Sequence, residues 1–557
     1  MTVLRSRAAA SPSPGGPDDV SALLFSPLAA QTGRGNSLQK QLLGRMKRAI
    51  LDGRLPAGAR LPSSRTLADE LSVSRNTVSI VYEQLAAEGF VVAHRQGTRV
   101  AALSIKPHRA GSAHGAQANG VRAPDQPNGD RAADRARGPI EAAKAGESPA
   151  RSLDDAPRDG AANDMAGRVS RRVARLPASY RAARADETPP AFTPGVPALT
   201  QFPAGAWRRT LDRVMRSAPA RVYGYGDPAG EPALREAIAE HLRISRGVRC
   251  DGAQVVVTEG AQEALMLCVR LLVDPGDTVW LEDPGYRGAK TAFHAGDLRL
   301  VPLRVDDEGV TVPPGLWDTA PPRLVYTTPS HQYPLGAVLS AARRLDMIAH
   351  ARRCGAWLIE DDYDSEFRHQ GEPIAAMQGL VPDAPVLYVG TFSKTMFPAL
   401  RIGFLVLPPA LAERAGGAMG ELLRGGHRFE QLALAEFIRN GQFARHLGRM
   451  RRLYRERQIA LREALARHLD PAYAVIGERC GLHLTVRLAP SYCDIDIVAA
   501  AQREGMNPRA LSSFALAPRP EDNGLVIGYG DTDAVRIEPL VRRLAELVAD
   551  AGRAAPA

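Results

Sequence analysis

The sequence predicts a multi-domain chain: a small, mainly helical head with winged helix-turn-helix geometry, a long linker, and a large α/β body on a mainly parallel sheet. Three observations carry that expectation. The 557 residues exceed what one ordinary core accommodates. Between Ser37 and Val100 the apolar residues follow helical spacing and end in a short hairpin pattern. From about residue 191 onward, short β-branched runs (VVVTEG, DTVWLED, RLVYTTP, AWLIEDD, VLYVGTF) alternate with helical stretches, as crossover-connected parallel strands do.

Bulk composition narrows the class. Hydrophobic residues at 45% and charged residues at 24% are the balance of a globular chain, not of a disordered or membrane-embedded one. The net charge of +10 permits attraction to polyanions, so the location of the charge has to decide. Five scattered cysteines without CxxC or Cys/His spacing fit a reduced, cytoplasmic setting. The first residues lack an apolar signal core, and no run approaches the roughly 18 apolar residues of a membrane span, so no membrane partner is expected. The expected boundaries are a flexible start at 1–36, the head at 37–100, a linker at 101–190, the body at 191–549 and a tail at 550–557. The linker, rich in Pro, Gly, Ala, Asp and Arg, would span about 50 Å root-mean-square if flexible, so docking should set where the head sits.

Three helices are legible in the head: Leu38–Leu51, Ser64–Leu71, and residues 75–88 opened by Ser74 as N-cap. Leu71-Ser72-Val73-Ser74 is short enough to be the turn between the last two, and the residues from Phe90 to Val100 read as a two-stranded wing. Ten basic residues face five acidic ones here, a net of +5 that is half the excess of the chain. A helix beginning Ser74-Arg75-Asn76-Thr77 brings guanidinium, amide and hydroxyl groups to the end that enters a major groove. Charge and helices alone fit a small protein-contact domain equally well.

The body offers the parts that a pyridoxal phosphate site needs. Lys394 follows an apolar strand in Gly390-Thr391-Phe392-Ser393-Lys394, with the Thr391 hydroxyl and the Arg401 guanidinium at spacings suited to a phosphate dianion. Asp361 ends another strand among several carboxylates, which either bind calcium or magnesium or include one partner for a ring cation; the loop lacks the ligand repeat of a calcium site. Tyr363, two residues on, can donate to a ring hydroxyl. Gly260, Ala261 and Gln262 open a helix after a strand and aim amides at an anion. Tyr286 lies on the turn after the next strand and can stack on a ring.

Gly58-x-Arg60-Leu61-Pro62-Ser63-Ser64-Arg65, Val73-Ser74-Arg75-Asn76-Thr77-Val78 and the closing Gly97-Thr98 resemble the GntR-type winged helix. That resemblance implies DNA contacts from Arg60, Ser64, Arg65, Arg75, Asn76, Thr77 and, at the wing tip, Gln96 and Gly97. The phrases Thr328 to Gly336, Glu360 to Phe367 and Gly390 to Gly403 resemble fold-type I aminotransferases, so the chain outside the linker looks like the MocR-type regulators. The resemblance implies a PLP-dependent transferase fold with a small C-terminal α+β subdomain. It also implies a Schiff base on Lys394, Asp361 on the ring nitrogen, Tyr363 on the ring hydroxyl, Tyr286 stacked, and phosphate ligands among Gly260, Ala261, Gln262, Thr391 and Arg401. No metal is implied. A homodimer follows, arranged head-to-tail with each head over the partner's large domain, and bound to double-stranded operator DNA.

Three departures bear on function. Tyr333-Pro334-Leu335-Gly336 stands where active aminotransferases carry Asn-Pro-x-Gly, which leaves Tyr363 to serve the ring oxygen alone and argues against efficient turnover. The usual carboxylate-binding arginine is absent from Leu525–Tyr529, making Arg509 the candidate effector contact. Gly288 occupies the place where relatives sensing 4-aminobutyrate carry a basic residue. The expected function is transcription regulation in which the cofactor, alone or with an amino compound, modulates operator binding; the alternative is an active transaminase with an autoregulatory head.

Overall fold

The computed structural model describes residues 38–94, 97–102, 170–174, 176, 190–371 and 373–554. Two compact units divide the chain, residues 1–105 with 175–557, and residues 106–174. Of the second unit residues 170–174 are described, including one helical turn, Arg171–Ala174. The expected flexible start and nearly all of the expected linker lie outside the described residues.

In the head, α1 (Leu38–Leu51), α2 (Ser64–Leu71) and α3 (Arg75–Ala87) precede a hairpin of β1 (Val91–His94) and β2 (Gly97–Val100). Local chemistry sets the helix starts: Ser63 accepts from the Thr66 amide and Ser74 from the Thr77 amide, each at 3.1 Å. Helix α2 ends on Ser72 in the left-handed region, and α3 ends one position earlier than the sequence predicts, at Ala87, before Gly89 turns with φ +73°. Leu42, Met46, Leu67, Val78, Leu85 and Phe90 form one buried cluster that also takes in Ala341 and Leu345 of the body.

The body runs α4 (Ala204–Ser217), α5 (Pro232–Arg246), β3 (Val255–Thr258), α6 (Ala261–Leu272), β4 (Thr278–Asp283), α7 (Arg287–Ala295), β5 (Arg299–Asp306), β6 (Gly309–Val310), β7 (Leu324–Thr327), α8 (Ala341–Cys354), β8 (Trp357–Asp362), β9 (Val386–Thr391) and β10 (Gly403–Val406). Its sheet has the order β3-β10-β9-β8-β7-β4-β5-β6. Neighbours from β9 to β5 are parallel, while β10 is antiparallel to both β3 and β9. Helices on both faces explain why β7, β8 and β9 read as unbroken apolar runs: Val325, Leu358, Ile359, Leu387 and Val389 are fully buried. Strand β10 has no flanking pattern of its own and was not legible beforehand.

After α9 (Pro409–Leu422), α10 (Arg428–Arg439) and the long α11 (Gln442–His468), the chain builds a smaller antiparallel sheet. It is composed of β11 (Val475–Ile476), β12 (His483–Arg487), β13 (Arg509–Ala510) and β14 (Gly524–Gly528) in the order β11-β12-β14-β13. Helices α12 (Asp494–Arg503) and α13 (Ala534–Ala554) complete the α+β subdomain, α13 running past the expected boundary at 549. Among the described residues no helix is long and apolar enough to cross a membrane.

Head and body meet through polar as well as apolar contacts. The Ala341 amide, in the first turn of α8, donates to the Glu88 carbonyl at 2.9 Å. The Glu88 carboxylate, 3% exposed as a residue, takes an ion pair from Lys47 at 2.6 Å and a hydrogen bond from Gln84. Gly371 lies so close to Gln84 that a Cβ there would come to 2.1 Å from Oε1. Ala341 and Leu345 of the body complete the head's apolar cluster.

Candidate functional site

The site gathers at the carboxyl ends of β4, β7, β8 and β9, the edge of a parallel sheet where loops are free to diverge. Lys394, three residues beyond β9, lies in the cleft with Nζ donating to the Gly195 carbonyl at 2.6 Å. Burial lowers its pKa, partly offset by Asp364 and Asp361. Asp361 is 3% exposed; one oxygen accepts from Tyr326 at 2.7 Å, and the other, Oδ1, is buried with no partner. Burial pushes its carboxyl up to about 7, against the Tyr326 hydrogen bond, with Asp362 and Asp364 adding to the rise. An orphaned carboxylate oxygen in such a place is costly unless a donor meets it.

A cradle for an anion lies on the β3–α6 turn. Gly260 is the N-cap of α6 at φ +82°, and a Cβ there would come to 3.4 Å from the Arg401 guanidinium. Arg401 itself is left-handed at φ 52° and donates to the Glu259 carbonyl at 2.5 Å, which turns its guanidinium along the helix start. Ala261 and Gln262 form the first turn of α6, where amides have no intrahelical acceptor. The Gln262 side chain is committed to the Gly288 carbonyl at 3.0 Å. The Thr391 hydroxyl lies at 3.1 Å from that of Ser393. The structure thus brings Gly260 and Arg401 together, and Thr391 and Lys394 onto one loop.

Tyr363 is held in place by its neighbours. Its hydroxyl is 3.0 Å from both the carbonyl oxygen and Nδ1 of His331, and His331 pairs with Asp364 at 3.0 Å. The reason is tertiary: β7 and β8 are adjacent, so the loops after them face one another. Tyr333 packs edge-on against Tyr286, Tyr363, His483 and Phe514, with ring centroids 5.1–6.1 Å apart. It walls the cleft where a smaller asparagine was expected. Gly288 lies under the Tyr286 ring, where a Cβ would come to 2.4 Å from Cε1, so no basic side chain fits there.

The crowded carboxylates do not converge on a shared point. Glu360 accepts from the Met377 and Gln378 amides, Asp362 from Arg246 and Tyr388, and Asp364 from His331. Among the described residues, His331, Asp364 and Cys480 have ligand atoms within 4.8 Å of one another. Burial drives the Cys480 thiol well up, so it stays protonated near neutrality. Arg509 is exposed on β13, in register with Val526 of β14, and its charge reaches Tyr333. It therefore lies beside the strand where the missing arginine was sought.

On the head, Arg60, Arg65, Arg75 and Asn76 are exposed. Thr77 and Ser64 are half-buried, and the Thr77 hydroxyl is shared with Ser74 at 2.8 Å. Gly97, at φ +117°, would bring a Cβ to 3.2 Å from Arg60 Nε, so the wing stands beside Arg60. Gln96 lies outside the described residues. Sequence reasoning missed Tyr326, His331, Asp364 and Gly195 as parts of the cleft; three of them stand within phrases already singled out, without a role.

Comparison with known proteins supplies an independent finding. Residues 38–100 match the family described as bacterial regulatory proteins, gntR family, and residues 198–522 match aminotransferase class I and II. The probable rhizopine catabolism regulatory protein MocR of Rhizobium meliloti is 38% identical over 504 residues, 89% of this chain and 90% of that protein. The pyridoxine biosynthesis regulator PdxR of Corynebacterium glutamicum is 30% identical over 94% of this chain and 98% of its own length. Among solved structures, the α-aminoadipate aminotransferase LysN of Thermus thermophilus, complexed with N-(5'-phosphopyridoxyl)-L-leucine, is 26% identical with a TM-score of 0.59, covering 65% of this chain and 92% of that one.

Proposed function

From the premise that this chain belongs to the MocR-type transcription regulators, a GntR-type DNA-binding head on an aminotransferase-like body, we propose that pyridoxal phosphate held at Lys394 controls how its head engages operator DNA. The observation that carries the cofactor assignment is the buried, unpartnered Oδ1 of Asp361, which a protonated ring nitrogen would satisfy. Lys394 is the attachment point: its lowered pKa raises the neutral, nucleophilic fraction of Nζ. Arg401 and the first amides of α6, from Gly260 to Gln262, take the phosphate with Thr391, and the Tyr286 ring covers one face. Tyr363, held by His331 and Asp364, keeps a hydroxyl on the ring-oxygen side. Bound there, the cofactor supplies an electrophilic aldehyde and a ring that withdraws electrons when its nitrogen is protonated.

Arg509 at the cleft mouth is the candidate contact for the carboxylate of an amino compound. The Tyr333 wall and the absence of space at Gly288 support an effector other than 4-aminobutyrate, and support sensing over rapid turnover. In the head, Arg75 and Asn76 reach base edges, Arg60, Arg65 and Ser64 grip the backbone, and Thr77 fixes the start of α3. A dimer is part of the proposal: Tyr223 and Tyr225, 69% and 95% exposed on one loop, are a surface that a second copy would cover.

The test is operator affinity at fixed salt, measured with and without pyridoxal phosphate and a panel of amines, for the parent and for Lys394→Ala. The parent should respond and Lys394→Ala should lose both the response and the visible absorbance band. Identical affinities throughout would reject cofactor control.

A further inference from the structure

A groove of about 890 Å³ lies between α4 and the first turns of α11, and none of the cofactor-cleft residues lines it. Arg209, Arg213 and Arg216 recur at helical spacing on α4, and Arg445 and Arg449 at helical spacing on α11, so two arginine ladders line one recess. Asp212 is the one acidic residue among those lining it. Two arginines are held in place: Arg213 by Glu436 at 3.0 Å, and Arg449 by the Gln201 carbonyl at 2.8 Å. Arg209, Arg216 and Arg445 are exposed and have no ion-pair or hydrogen-bond partner among the described residues.

An arginine-rich chain carries many solvated guanidinium groups, and scattered ones need no explanation. Three features separate this set from that background. It is concave, with a volume in the range of small-molecule sites. Like charges three and four residues apart on each helix repel, a cost that a bound anion removes. Gln442, on its lining, opens a 27-residue helix whose N-cap, Gly441, supplies no side-chain acceptor, so the positive end of the helix faces the groove.

We propose that this groove binds a small multivalent anion, a compound carrying two or more phosphate or carboxylate groups, at a site separate from the cofactor cleft and the DNA-reading head. The recess between two helices favours a small ligand over a duplex, whose backbone follows a longer, flatter surface. The proposal does not depend on the cofactor assignment.

The experiment is calorimetric titration of the full chain, loaded with pyridoxal phosphate, using tripolyphosphate, pyrophosphate and, as a monovalent control, acetate. Saturable one-to-one binding of tripolyphosphate is expected, with acetate silent. Arg209→Ser combined with Arg445→Ser should weaken it by about a hundredfold, roughly tenfold for each charge-assisted contact removed, with far-ultraviolet dichroism unchanged because neither side chain supports the fold. Arg401→Ala should leave it intact. Binding that follows Arg401 instead would assign the anion to the cofactor cradle and overturn the groove site. Tripolyphosphate binding equal in the double variant and the parent would overturn it as well. So would a silent tripolyphosphate titration accompanied by loss of non-operator duplex binding in the double variant, which would make the groove a nucleic-acid surface.

Discussion

The DNA-reading face of the head and the cofactor cleft of the body hold their working side chains in opposite ways. The side chains of Arg65, Arg75 and Asn76 are exposed and make no hydrogen bond among the described residues. Tyr363, His331 and Asp364 are joined in one buried network and Asp361 is bonded to Tyr326 beside it, and both carboxyl groups carry raised pKa values. An exposed contact set takes its energy from the ligand and leaves the fold indifferent to substitution, while a buried set is part of the fold and shifts its protonation. Glu88 belongs to neither class. It sits at the C-terminal end of the recognition helix, is as buried as the cleft residues, and its backbone carbonyl accepts from α8.

If that contrast holds, a large effect on stability falls at the junction. Glu88→Ala leaves Lys47, 12% exposed at its side chain, without a counter-charge, and should destabilise the head by about 3 kcal/mol in urea unfolding followed by a probe on α1. Loss below about 0.5 kcal/mol would place the junction with the exposed class. Arg75→Ala should weaken operator binding by about 1–3 kcal/mol while thermal midpoint and visible spectrum stay at parent values. A shifted midpoint would mean that the recognition helix is less independent of the fold than its exposure indicates.

The buried class is tested through pH. Burial holds the Asp361 carboxyl at about 7 in the folded cofactor-free chain, against about 4 when unfolded. The folded state therefore keeps a proton that the unfolded state releases, and stability falls as pH rises from about 4 to about 7. Asp361→Asn removes that loss. Without cofactor it should match the parent near pH 4 and exceed it by up to about 4 kcal/mol at pH 8, about 1.4 kcal/mol for each pH unit between about 4 and about 7, when thermal unfolding is followed at both values. Equal stability at pH 8 would show that the carboxylate is solvated and outside the buried network.

Much of this arrangement was legible beforehand because its determinants are local. The helix starts at Ser64 and Arg75 follow from the capping residues Ser63 and Ser74. The strands carrying Asp361 and the Lys394 loop follow from unbroken apolar runs, and Gly260 was found because an N-terminal turn after a strand has a compositional mark. Strand β10 was missed because four residues after a turn carry too little pattern, and the part of Ala341 and Leu345 in the head's apolar cluster was missed because they look like any helix residues.

What the amino-acid order determined by itself is the head helices, the strands with unbroken apolar runs and the residue types at their ends, since periodicity and capping act within a few positions. The tertiary structure alone decided that Tyr326 would meet Asp361 across 35 residues, that His331 and Asp364 would hold Tyr363, and that Lys394 would reach Gly195 across 199. Those pairings depend on which strands become neighbours in the sheet, and that order is set by packing of the whole body, which no local segment encodes.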